Sequence, residues 1–140
     1  MTPWERELLV QQNALSPMKL LEGRWIGEGE AHEQSIISQL SIQFVLNHTL
    51  VEVREKTGAH EDICFYRFVP GSGYMVTHLM PGAIREHPVE LLPTGGLEWV
   101  SGPAEPSVIW EIKGACLVQE VIWPGEARPE VRVVYRREPG

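Results

Sequence analysis

The stretch Gly23-Arg24-Trp25-Ile26-Gly27-Glu28-Gly29-Glu30-Ala31-His32 alternates with a period of two. Trp25, Gly27, Gly29 and Ala31 fall on one face and Ile26, Glu28, Glu30 and His32 on the other, because successive side chains of a β-strand point to opposite sides. One face thus carries a large ring and then almost nothing. Small residues inside a strand mark a sharp bend or a place where another group approaches the backbone. Gly27-Glu28-Gly29 lies inside this strand pattern and opens no helix, so it is not a phosphate loop.

The same alternation continues downstream. Turn signals fall near Glu33-Gln34, Asn47-His48, Thr57-Gly58, Pro70-Gly71-Ser72-Gly73, Pro81-Gly82, Pro93-Thr94-Gly95-Gly96, Gly102-Pro103, Lys113-Gly114 and Pro124-Gly125, leaving ten short runs between them. Such spacing suits an antiparallel barrel or sandwich. Leu40, Ile42, Phe44 and Leu46 separate cleanly from Gln39, Ser41 and Gln43. In the terminal run Val131, Val133 and Tyr135 oppose Arg132, Val134 and Arg136, whereas the run before it is apolar on both faces. No strand–helix–strand alternation occurs, so a parallel sheet with a nucleotide site is not expected.

Upstream, Thr2-Pro3-Trp4-Glu5 has the form of a helix start: Thr2 caps, Pro3 suits the first helical position and Glu5 completes a capping box. A short helix to about Leu15 is expected, with Trp4, Leu8 and Leu15 on one packed face, followed by a single turn from Ser16-Pro17 to Leu20-Leu21. Residues 1–22 form this helical segment and residues 23–137 the strands of a single domain. The 140-residue chain is 43% apolar and 22% charged, an ordinary globular composition, and its 13 Gly and 11 Pro leave little room for long helices. With 12 basic and 19 acidic residues and a net charge of −7, it lacks the basic footprint of a nucleic-acid binder or of a protein held on anionic lipid. No apolar run is long enough to span a membrane. The acids at Glu5 and Glu7 stand where a secretory signal would begin with basic residues, so a cytoplasmic location is expected. Cys64 and Cys116 have neither a CxxC nor a nearby His spacing and are read as small buried hydrophobes.

Gly23-Arg24-Trp25 at the start of the first strand, behind a short helical turn, resembles the opening of the calycin superfamily of lipocalins and fatty-acid-binding proteins. The longer Gly23-x-Trp25-x-Gly27-x-Gly29 run resembles that of nitrobindin-type haem proteins and of bacterial lipocalin-like barrels. The resemblance implies an all-β fold, a single antiparallel up-and-down β-barrel of about ten strands with a short N-terminal helix. It also implies that an Arg of the terminal strand, Arg136 of the Arg136-Arg137 pair, packs over Trp25, with Gly23 completing the motif. Specific matches cover Gly23 to Gly29 only. The C-terminal His that holds haem in nitrobindin-type proteins has no counterpart, since the last His is His87. Arg132 and Tyr135 lie three apart and cannot share a face as the carboxylate-binding pair of fatty-acid-binding proteins does. Ala31 to Ile37 is too short for a helical lid, so an open-mouthed barrel is expected.

A barrel of about ten strands is wider than its own side chains fill and encloses a cavity. Among the aromatics at strand centres (Phe65, Tyr66, Phe68, Trp99, Trp110 and Tyr135), Tyr66, Trp99, Trp110 and Tyr135 are the candidate lining. The polar candidates are His78, between Val76 and Met80 on an apolar face, and Arg67, which would orient an anionic ligand head. Glu120 is expected to pair with Arg132, or, if inward, to face His78 as an acid–base pair. His87-Pro88 reads as a strand irregularity and His60-Glu61-Asp62 as a hairpin end, and neither has metal-ligand geometry. No catalytic elbow, HExxH or activated cysteine is present.

These residues support a protein that binds a small, mostly apolar or amphipathic molecule inside the barrel, without a legible catalytic site. The alternatives are a haem protein acting on reactive nitrogen species, with His78 as a substitute axial ligand, and a protein-interaction module that pairs as a homodimer.

Overall fold

A computed structural model describes residues 1–139. Helix α1 (Pro3–Leu15) leads into a 3-10 turn (Ser16–Leu21) and then ten strands. These are β1 (Gly23–Ala31), β2 (Gln34–Val45), β3 (Leu50–Thr57), β4 (His60–Val69), β5 (Gly73–Met80), β6 (Ala83–Leu91), β7 (Leu97–Trp99), β8 (Ser107–Lys113), β9 (Cys116–Ile122) and β10 (Val131–Arg137). Each strand pairs antiparallel with its sequence neighbour, and β1 pairs with β10, so the sheet closes as an up-and-down barrel. Closure removes the free edges that an open sheet would expose. All nine turn signals fall at strand connections, because Gly and Pro end a ladder wherever they cannot extend it.

The helix start forms as its residues require: the Thr2 side chain accepts from the Glu5 backbone N–H, and the Glu5 carboxylate accepts from that of Thr2. The expected apolar face is shorter than anticipated. Leu15 is buried, whereas Trp4 is 66% exposed at the outer end of the helix. Leu15, Met18 and Leu21 enter the core and close one end of the barrel. Tyr74 donates its hydroxyl to the Ala14 carbonyl and Gln12 donates to that of Asn47, fixing the helix across the rim strands.

The glycine face of β1 serves close approach. A Cβ at Gly27 would lie 2.5 Å from Val133 and 2.6 Å from the Tyr135 ring, and one at Gly29 would lie 1.9 Å from the Arg132 carbonyl oxygen. The Tyr135 ring fills the space that side chains on β1 would otherwise occupy. Leu40 and Ile42 point inward as expected, but Leu46 lies beyond the end of β2 in the β2–β3 turn, at φ 50°, and is exposed. The ambiguous β9 resolves with Leu117, Gln119 and Val121 inward, because its register places Leu117 beside Tyr135 and Gln119 beside Val133.

Trp25 fastens the closed end. Its Nε1 donates to the Leu21 carbonyl at 2.9 Å, and the Arg137 guanidinium stacks 4.3 Å from the centre of the ring. Arg137 also donates to the carbonyls of Leu20 and Glu22, both at 2.6 Å. The arginine over the tryptophan is therefore Arg137, not Arg136. Arg136 pairs with Ile26 across the β1–β10 ladder and is exposed on the outer face. Arg137→Ala removes a cation–π contact and two hydrogen bonds, and is expected to cost about 2 kcal/mol. Arg136→Ala is expected to stay within about 0.5 kcal/mol, so urea midpoints of the two variants separate the roles. Gly29→Ala should lower stability by about 1–3 kcal/mol through overpacking against β10, read from the same titration.

Candidate functional site

The end opposite the helix is open. A two-residue turn, His32-Glu33, joins β1 to β2 and leaves no lid above the mouth. Ten strands hold their walls too far apart for side chains to meet across this half of the barrel, and a cavity of about 530 Å³ results. Inward positions of nearly every strand line it. Ile36, Val53, Cys64, Met80, Trp99, Val108, Trp110 and Val121 provide the apolar wall. Glu55, His60, Asp62, His78, Arg85, His87, Glu105 and Gln119 provide the polar one.

The register explains why the polar groups cluster. Glu55 stands opposite Asp62 on β3 and β4, and Cys64 opposite His78 on β4 and β5. Asp62 receives two histidines: His60 Nε2 lies 2.9 Å from its Oδ1 and His78 Nε2 lies 3.5 Å from its Oδ2. Burial alone would raise the Asp62 pKa. The hydrogen bond from His78 and the charges of His60 and His78 outweigh it and hold the carboxyl below the usual range. Glu55 moves the other way. Desolvation dominates, the neighbouring Asp62 adds to it, and a hydrogen bond from Gln119 only partly offsets them, so its carboxyl is raised above the ordinary value. Burial likewise pushes the Cys64 thiol up, which keeps it a neutral, unreactive wall group.

Trp99 is held between two histidine rings. His87 stacks on it at 5.2 Å and His78 meets it edge-on at 5.3 Å, while its Nε1 donates to the Tyr66 hydroxyl at 2.9 Å. His87 Nδ1 also lies 3.2 Å from Glu105 Oε2 at the mouth.

The structure brings together three of the six residues expected to form the lining: His78, Trp99 and Trp110. Tyr66 and Tyr135 point inward but lie in the packed layer beneath it. Tyr66 supports Trp99, and Tyr135 donates to Ser38 Oγ at 2.8 Å. Arg67 belongs to the outward set of β4 and lies 3.4 Å from Glu86, so it orients nothing in the cavity. Glu120 also points outward, 3.9 Å from Arg132, so His78 meets Asp62 instead. Asp62, Glu55, His87 and Gln119 were not expected as lining. A signal for Asp62 existed in His60-Glu61-Asp62, since a hairpin end at the open mouth of a barrel points its alternate residues into the entrance.

The charge of the lining does not suit haem. Haem propionates need cations, yet Glu55, Asp62 and Glu105 line the cavity with Arg85 as the one Lys or Arg among the described lining residues. Among the described residues no group of three or more His, Cys, Asp or Glu is placed to hold a metal ion, and no helix is long and apolar enough to cross a membrane. Compared with known proteins, the chain matches no protein-family model and no curated protein.

The two carboxylates have opposite linkage. The fold favours the neutral form of Glu55, so its contribution is present below the ordinary glutamate pKa and is lost as pH rises through the raised folded value. Glu55→Gln escapes that loss: its urea midpoint should exceed the parent's at neutral pH, and the gain should shrink at about pH 4. Asp62 contributes stability above the ordinary aspartate pKa and loses it as pH falls through the depressed folded value. Asp62→Asn should therefore lower the midpoint at neutral pH, with the deficit closing in acid.

Proposed function

We propose that this protein binds a small, mostly apolar molecule in the open half of its barrel. The observation that carries the reading is the cavity of about 530 Å³, walled by Trp99, Trp110 and aliphatic side chains and open at one end. Pockets of this size that join an apolar wall to a few convergent polar groups are the usual sites of small-molecule recognition. The calycin resemblance of Gly23, Trp25 and the arginine over that ring supports the same reading. Glu55 supports it too: it sets an ionisable group among the residues that line the cavity. The apolar wall supplies affinity through desolvation, and the polar cluster near Asp62 sets orientation.

Titration with N-phenyl-1-naphthylamine, an uncharged apolar probe whose emission rises in dry surroundings, tests the reading. Saturable enhancement at one site per chain is expected, together with its loss in Val108→Trp, which fills the cavity from one wall. An unsaturable response, or binding that Val108→Trp leaves intact, would place the probe elsewhere and sink the proposal.

A further inference from the structure

We propose that the cavity selects ligands whose polar end is an uncharged group that both donates and accepts hydrogen bonds, a hydroxyl or carboxamide, seated on Trp110 and Gln119. This rests on the cavity-binding reading above and specifies the chemistry of its ligand.

Trp110 and Gln119 stand opposite one another on β8 and β9, and both line the cavity. Partners in an antiparallel ladder carry their side chains about 5 Å apart on the same face. They are 2% and 7% exposed, and neither Trp110 Nε1 nor Gln119 Oε1 has a hydrogen-bond partner among the described residues. Native structures rarely leave such groups unpaired, because each forfeits its bond to water without gaining another. The two atoms are complementary in kind: an indole N–H can only donate and an amide oxygen can only accept. A single hydroxyl, or the N–H and C=O of one carboxamide, satisfies both.

It is the carbonyl end of the Gln119 amide that lacks a partner. Charge on the ligand is disfavoured from both directions. An anionic head would meet the Asp62 carboxylate, which stands opposite Glu55 across β3 and β4. A cationic head would oppose the Trp110 N–H and would share Asp62 with the neighbouring His60 and His78. The apolar body of such a ligand then lies along Trp99, Val108 and Val121.

Calorimetric titration with one scaffold and five head groups tests the assignment: naphthalene, 2-naphthol, 2-naphthamide, 2-naphthoate and (2-naphthyl)methylamine at neutral pH. The naphthol and the naphthamide are expected to bind about tenfold tighter than naphthalene and than either charged analogue. The indole N–H resonance of Trp110, assigned by its disappearance in Trp110→Phe, should move downfield with naphthamide and not with naphthalene. In Gln119→Leu and in Trp110→Phe, both checked for folding by their amide spectra, the ratio of naphthamide to naphthalene affinity should fall toward one.

Equal affinities across the series, as when water satisfies the pair, would overturn the proposal and leave the cavity-binding reading standing. Tightest binding by the naphthoate or the ammonium would overturn it in favour of a charged ligand, as would a ratio that survives both substitutions. If none of the five binds, the cavity-binding reading falls with it.

Discussion

The stacking of Arg137 on Trp25 is the contact on which the rest of the barrel depends. It joins the last strand to the first at the point where closure must occur, and its two hydrogen bonds to Leu20 and Glu22 seat the N-terminal segment over the same end. Trp25 returns a hydrogen bond to Leu21, so the ring is fixed from both sides. A barrel is cooperative in this sense, since every strand relies on two neighbours, and the Arg137–Trp25 contact anchors one end of the β1–β10 ladder that closes the seam. The glycines of β1 serve the same seam by letting Tyr135 and Val133 occupy the volume that side chains would otherwise fill.

The two halves of the interior follow different rules. Toward the helix, Leu15, Met18, Leu21, Tyr66 and Tyr135 pack into a continuous core, and the polar atoms there find partners within the chain. Toward the mouth, the same inward alternation delivers Glu55, Asp62, His78, His87 and Gln119 to a space that the chain does not fill. Carboxylates brought together in low dielectric must either be neutralised by partners or shift toward protonation. Asp62 takes the first course and Glu55 the second, so adjacent acids on neighbouring strands come to differ in charge preference.

Much of the fold was legible in the residues. Breakers and alternation located ten strands and their connections, because Gly and Pro act on the backbone locally and a two-residue period is a property of each strand alone. The capping box at Thr2 and Glu5 was legible for the same reason. Less of the site could be read. His78, Trp99 and Trp110 were recognisable as residues inside a barrel, but Arg67 and Glu120 could be placed inward or outward only once strand register was known. The seam arginine was within reach: the alternation of Val131, Val133 and Tyr135 already puts Arg137 on their face and Arg136 on the other, and the pairing of β10 with β1 then sets Arg137 over Trp25.

The sequence by itself determined the strand count, the helix cap, the close-approach face of β1 and the acidic balance, since each depends on neighbours along the chain or on composition. The tertiary structure alone decided which polar groups share the cavity, why Asp62 and Glu55 titrate in opposite directions and which atoms of Trp110 and Gln119 are left for a ligand. Those outcomes depend on contacts between residues far apart in the chain, and barrel closure sets those distances.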